Sequence, residues 1–210
     1  MFGLTYKVFW KRFLDFFAAL LLITLLSPIL LSVALLVRLK LGSPIFFRQE
    51  RLGLNGKVFA VWKFRSMTDC RDENGELLED QYRLTKFGKL LRDWSLDELP
   101  QLWNVVMGDM SLIGPRPFIA EYASRYTSEQ MRRHEVRPGI SGLAQISGRN
   151  SISWNRKFRL DVRYVDHCSF WLDLKILVMT PIKVLGRNGI AADNHVTMPK
   201  WTGPEETPAE

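Results

Sequence analysis

Phe16 to Val37 is a run of 22 residues without a charge, nearly all Leu, Ile, Val, Phe and Ala. No other feature narrows the possible folds as much, because so much apolar surface must leave water. As a helix rising ~1.5 Å per residue the run would reach about 33 Å, enough to cross a hydrocarbon layer of ~30 Å. A straight transmembrane helix is the simplest reading, but the charges at its ends oppose it. Lys7, Lys11 and Arg12 precede the run and Arg38, Lys40, Arg48 and Arg51 follow it, so a single crossing would leave one basic cluster on the unfavourable side. At its centre stand Ser27 and Pro28. Proline lacks the N–H that would bond the Thr24 carbonyl, and its ring crowds that carbonyl; the Ser27 hydroxyl can reach back toward Ile23 or Thr24. Each half would be ~16 Å long, so the segment is expected to enter one leaflet, bend and return. A cleavable signal peptide fits less well, since the run is long for an h-region and no small-x-small site follows closely.

The rest of the 210 residues has an ordinary globular composition, with a net charge of +7 that favours an anionic partner: nucleic acid, anionic lipid or a phosphorylated substrate. Nucleic acid is the weakest of these, because no recognised motif is present and the apolar run suits it poorly. Cys70 and Cys168 lack C-x-x-C spacing, which indicates neither a disulfide framework nor a zinc site and points to a reducing compartment.

The spacing predicts an α+β domain, mainly α. Ile45 to Arg51 and Lys57 to Arg65 flank Asn55-Gly56 and read as a β-hairpin. Asp69 to Asp80 reads as an acidic solvated loop. Helical patterns follow up to Arg92, over Leu96 to Met107, from Thr127 to Val136 behind a Thr127-x-x-Gln130 capping box, near Trp154 to Asp166, and over Phe170 to Arg187. The last suits a core or a membrane surface equally. The expected division is a membrane anchor over 1–40, a catalytic domain over 41–187 and a flexible tail over 188–210.

Ser95-Leu96-Asp97-Glu98 fits a capping box with Ser95 as N-cap. Adjacent helical positions diverge by roughly 100°, so Asp97 and Glu98 suit different tasks: one to attack phosphorus, the other to hold magnesium, which takes oxygen ligands. In Gly114-Pro115-Arg116-Pro117 the prolines stiffen the backbone around Arg116, which could grip a phosphate or form a buried ion pair. Lys63, Arg65 and Arg149 add positive charge.

Lys63-Phe64-Arg65-Ser66-Met67, the stretch from Ser95 to Val105, Gly108 to Pro117, and Arg137-Pro138-Gly139-Ile140-Ser141-Gly142 together resemble the bacterial sugar transferases known as monotopic phosphoglycosyl transferases, in their small form. Gly148-Arg149-Asn150 and Tyr164-Val165-Asp166 are also similar to the enzyme that initiates bacterial protein N-glycosylation. The resemblance implies transfer of a sugar 1-phosphate from a UDP-sugar, such as an N-acetylated hexose, to polyprenyl phosphate with release of UMP. It further implies a nucleophilic Asp97, Mg2+ on Glu98, orienting roles for Arg92, Arg116 and Arg149, and a membrane bend at Ser27-Pro28. Substrate-binding roles for Lys63 and Arg65, an inner-membrane location facing the cytoplasm, and downstream glycosyltransferase partners belong to the same expectation. A non-catalytic membrane-tethered scaffold is the competing reading; it leaves Asp97-Glu98 and the Pro-Arg-Pro support as mere structure.

Overall fold

The computed structural model describes residues 6–148, 151–186 and 201–203. Its first long element, α1 (Lys11–Leu41), carries the whole apolar run, with Pro28 inside one helix rather than between two. Ser27 explains part of that continuity: its hydroxyl donates to the Thr24 carbonyl at 2.8 Å, the acceptor that Pro28 leaves without an N–H.

The inward face of α1 follows a helical period. Lys11, Asp15, Ala19, Leu22, Leu26, Leu30, Val33, Val37 and Leu41 are buried or packed against the domain, at steps of four and three that keep one stripe inward. The stripe runs the full helix, so both ends rest on the same body. The outer face is apolar and open, with Phe17, Leu21, Leu25, Leu35 and Leu39 exposed. Two of the flanking charges are not free for lipid. Lys11 is buried and bonds Asp173 at 2.6 Å, and Arg12 donates to the Val105 and Val106 carbonyls at 2.5 and 2.8 Å.

Strands β1 (Phe46–Leu52) and β2 (Val58–Phe64) form the expected antiparallel hairpin, with Arg48 opposite Trp62 and Leu52 opposite Val58. Asn55 and Gly56 both have positive φ, 55° and 74°, as a primed turn requires. Short helices α2 (Lys86–Asp93) and α3 (Gln101–Met107) follow. On α3, Asn104 substitutes for a missing strand: its Nδ2 donates to the Ala60 carbonyl at 2.8 Å, and its Oδ1 accepts from the Trp62 N–H at 3.0 Å. Those two hydrogen bonds fix α3 to β2. A second pairing escaped the sequence reading: β3 (Ser111–Ile113) and β4 (Gly139–Ser141) run parallel. They approach so closely that a Cβ on Gly139 would lie 2.0 Å from the Gly114 nitrogen, so only glycine fits there.

The chain ends in α4 (Leu143–Ser147), α5 (Trp154–His167) and α6 (Phe170–Leu185), the last two capped by Ser153 and Ser169. The Thr127–Gln130 capping box is present on a short helical turn. In the segment expected to be a flexible tail, Trp201 is buried against Phe118, Tyr122 and Phe158. On α6, Trp171, Ile182 and Leu185 stay exposed, while Ile176 sits in a core with Ile113, Val136 and Val165.

Beside the aromatic cluster, His134 is buried with its ring edge-on to Tyr126. Burial, and then the Arg133 charge, push the imidazole down to about 4. The unfolded chain, with an ordinary value near ~6.5, therefore binds more protons than the folded one between about pH 4 and 6.5. Stability from this group is complete above that window and falls on acidification by on the order of 3 kcal/mol. Melting temperatures of wild type and His134→Asn across pH 4 to 7 should show a steeper acid loss in the wild type.

Candidate active site

Asp97 and Glu98 lie on a single turn, Leu96–Glu98, between α2 and α3. The capping box expected at Ser95 does not form. Ser95 is left-handed, with φ 55° and ψ 23°, and its side chain caps nothing. The turn is held by backbone bonds from Glu98 to Ser95 and from Leu99 to Leu96 at 3.2 and 3.3 Å. The Glu98 carboxylate is instead drawn to cations: Oε1 accepts from Lys63 Nζ and Arg116 Nη2, both at 2.6 Å, and Oε2 accepts from Arg116 Nη1 at 3.3 Å. Charge-assisted bonds outweigh a neutral cap.

The two neighbouring carboxyl groups consequently differ. Burial alone would raise Glu98, but Arg116 and then Lys63 more than offset it and hold the group well below the usual carboxylate range. Asp97 is 7% exposed, and among the described residues its carboxylate accepts no hydrogen bond. Burial pushes it up to about 6, with Glu98 adding to the rise and Lys63, Arg92 and Arg116 opposing it. One carboxylate is thus paired with two cations, and the other accepts no bond from the described residues. Such a split is how two acids in one site acquire separate roles.

Arg116 touches Glu98 on one side, and its side chain is 41% exposed on the other, leaving donors for an incoming anion. Lys63 reaches the site because β2, tethered by Asn104, aims it there. Arg92 donates to Ser66 Oγ at 2.9 Å and contributes charge to Asp97 without bonding it. Arg65 is engaged elsewhere: its guanidinium bonds the Met67 and Ser43 carbonyls at 3.0 and 2.9 Å and Asp69 at 2.6 Å. Arg149 lies outside the described residues. A shallow, open concavity of about 550 Å3 lined by Arg38, Arg48 and Trp62 holds neither Asp97 nor Glu98; Trp62 and its neighbour Lys63 point to opposite faces of the ribbon.

Two arginines that the sequence reading did not assign to the site, Arg51 having been counted only as a charge flanking the apolar run, complete the setting. Arg51 donates to the Pro117 carbonyl at 3.3 Å, and Arg133 donates to the Arg116 carbonyl at 2.6 Å. Their signal in sequence was only an arginine at the end of a strand and another in a short helical turn, neither of which differs from a surface charge.

As for magnesium, no cluster of three or more acidic, histidine or cysteine ligands occurs among the described residues. Glu98 Oε2 takes only a 3.3 Å bond from Arg116 and Asp97 stands beside it, so the pair fits the ion in its minimal mode, in which one or two carboxylates share it with phosphate oxygens and water.

An apolar stripe of α1 docked on a small α+β domain thus stands with a pair of adjacent acids that face Arg116 between its two prolines. A family model for bacterial sugar transferases matches residues 6–187, and the chain belongs to that family. It is 58% identical over 193 residues to an uncharacterized sugar transferase, EpsL, of Bacillus subtilis (strain 168), covering 92% of this chain and 96% of that one. It is 42% identical over 184 residues to the UDP-glucose:undecaprenyl-phosphate glucose-1-phosphate transferase of Klebsiella pneumoniae, covering 83% of this chain and 40% of that one. It is 39% identical over 180 residues to the UDP-N-acetylgalactosamine-undecaprenyl-phosphate N-acetylgalactosaminephosphotransferase of Aeromonas hydrophila, covering 82% of this chain and 43% of that one. The chain therefore spans about two fifths of the length of these last two relatives.

Proposed function

We propose that this chain transfers a sugar 1-phosphate from a UDP-sugar to undecaprenyl phosphate and releases UMP, the first membrane step of glycan assembly. The observation that carries the reading is the contrast between Asp97, buried and accepting no bond from the described residues, and Glu98, neutralised by Lys63 and Arg116. An Asp97 oxygen attacks the sugar-linked phosphorus; the bond from that phosphorus to the bridging oxygen breaks, and UMP leaves with the oxygen. A polyprenyl phosphate oxygen then attacks the same phosphorus, the aspartyl–phosphorus bond breaks, and the Asp97 carboxylate is restored. A carboxylate is a weak nucleophile toward a diphosphate anion, so Arg116, supported by the Lys63 and Arg92 charges, offsets the repulsion. Bound at Glu98, with Asp97 beside it, Mg2+ would neutralise further diphosphate charge.

The membrane part of the proposal is a re-entrant, monotopic anchor with the domain on the cytoplasmic face of the bacterial inner membrane. Its support is the contact that one stripe of α1 keeps with the domain from Lys11 to Leu41: the helix is long and apolar enough to cross ~30 Å of hydrocarbon, but a crossing would strip that stripe from the domain. The exposed apolar faces of α1 and α6 would meet lipid, placing a water-soluble donor and a bilayer-held acceptor at one level. For the sugar, we retain an N-acetylated hexose alongside glucose, since relatives are named for both kinds.

The chemistry is tested by incubating purified protein with a panel of UDP-sugars and Mg2+, following UMP release, and weighing acid-trapped protein for a sugar-phosphate adduct. An adduct on a residue other than Asp97 rejects the nucleophile; no turnover with any sugar favours the scaffold. The topology is tested with a membrane-impermeant thiol reagent. The exposed Cys70 and, in Cys70→Ser, a cysteine at Lys7→Cys should label from the same side, whereas opposite sides would mean a crossing.

A further inference from the structure

We propose that Arg51 and Arg133 are positioning residues for Arg116, which they hold through its own carbonyl and the carbonyl that follows it; this rests on the reading of Arg116 as a phosphate-binding group. In Gly114-Pro115-Arg116-Pro117 the two prolines carry no N–H, so the loop can be anchored chiefly through its carbonyls. Three in succession are taken. The Pro115 carbonyl accepts from the Gly139 N–H at 2.9 Å, the Arg116 carbonyl from Arg133 Nη2 at 2.6 Å, and the Pro117 carbonyl from Arg51 Nη1 at 3.3 Å.

Both holding groups are themselves fixed. Arg133 binds Asp161 Oδ2 through Nε and Nη2 at 3.1 and 2.8 Å, and its guanidinium lies 4.3 Å from the centroid of the Phe118 ring. The side chains of Arg133 and Asp161 are each 1% exposed. Arg51 bonds Gln49 Oε1 at 2.5 Å. A buried ion pair is a poor source of stability, because apolar residues of the same volume serve as well or better. A buried guanidinium at Arg133 and a half-buried one at Arg51, set close to a third at Arg116, are costly on folding grounds alone. What they deliver is a donor to each of two adjacent carbonyls that have no other among the described residues. The Arg116 guanidinium is consequently mounted on a backbone that cannot rock when a diphosphate displaces its contact with Glu98, and displacement of about 1 Å at such a group can cost ~100-fold in rate.

A double-mutant cycle on the full-length, detergent-solubilised protein tests this. Arg51→Lys and Arg133→Lys keep the charge but lose the fork that serves two acceptors. Each is expected to lower kcat/KM for UMP release by about 10- to 100-fold in the wild-type background and by less than about twofold in Arg116→Lys, since the three act as a unit. Where turnover of the parent variant is too slow, the same cycle is read as the Kd of UDP on Asp97→Asn protein. Should Arg133→Lys fail to fold, Arg133→Met with Asp161→Leu replaces the pair by apolar groups; it should melt no lower than wild type yet show the same kinetic loss. Independent, multiplying losses in the Arg116→Lys background, or losses that follow melting temperature, overturn the positioning role. If Arg116→Lys alone changes nothing, the phosphate-binding reading of Arg116 is what fails.

Discussion

Asp97→Asn is expected to lower UMP release by ~1,000-fold or more, about 4 kcal/mol of barrier, and to leave no sugar-phosphate adduct on the protein. The substitution is isosteric and removes the ability to form the covalent ester while keeping the turn. Folding should not suffer: Asp97 makes no hydrogen bond among the described residues, and burial opposes its charge, so the melting temperature should hold or rise. Loss of activity with retained stability separates a nucleophile from a structural acid. Comparable UMP release by wild type and variant would reject the assignment. Glu98→Gln should behave differently, since it strips Lys63 and Arg116 of their counter-ion and is expected to lower stability as well as rate.

Asp173→Leu is expected to destabilise the protein by about 3–5 kcal/mol, the cost of leaving a buried charge unpaired. Asp173 on α6 accepts from Lys11 at 2.6 Å, Tyr6 at 2.7 Å and Tyr164 at 2.6 Å. Its loss strands the Lys11 ammonium at the root of α1, where Asp15 stands farther off at 3.8 Å. Thermal melts in detergent should show the drop, and Lys11→Met combined with Asp173→Leu should recover much of it, because an apolar pair needs no counter-charge. An unchanged melt in the single variant would show that α1 is held by its apolar stripe alone. Flanking charges therefore have a second role beside membrane orientation: Lys11 pairs with Asp173 and Arg12 with the Val105 and Val106 carbonyls inside the protein.

Legibility in sequence followed the range of the interaction. Asn55-Gly56 announced its hairpin, Thr127-x-x-Gln130 its cap, and Ser27 its bond to Thr24, because each depends on residues within four positions. Ser95-x-x-Glu98 has the same local form as the Thr127 box and yet failed, since two distant cations, Lys63 and Arg116, outbid the backbone for the Glu98 carboxylate. Arg65 shares a motif with Lys63, but they sit two positions apart on a ribbon that ends between them, and only Lys63 reaches the acids.

From the sequence alone came the apolar run with its proline, the adjacent acids, the arginine between prolines, and through them the family and its chemistry. These are statements about which atoms are present and how stiff the backbone around them is. Only the tertiary structure decided that one stripe of α1 stays on the domain through its whole length, that Asp97 is the acid left unbonded among the described residues, and that Arg51 and Arg133 converge below Arg116. The reason is physical: burial, ion pairing and access to water are properties of what the folded chain brings together across many tens of residues. No local pattern encodes which partner a charge will meet.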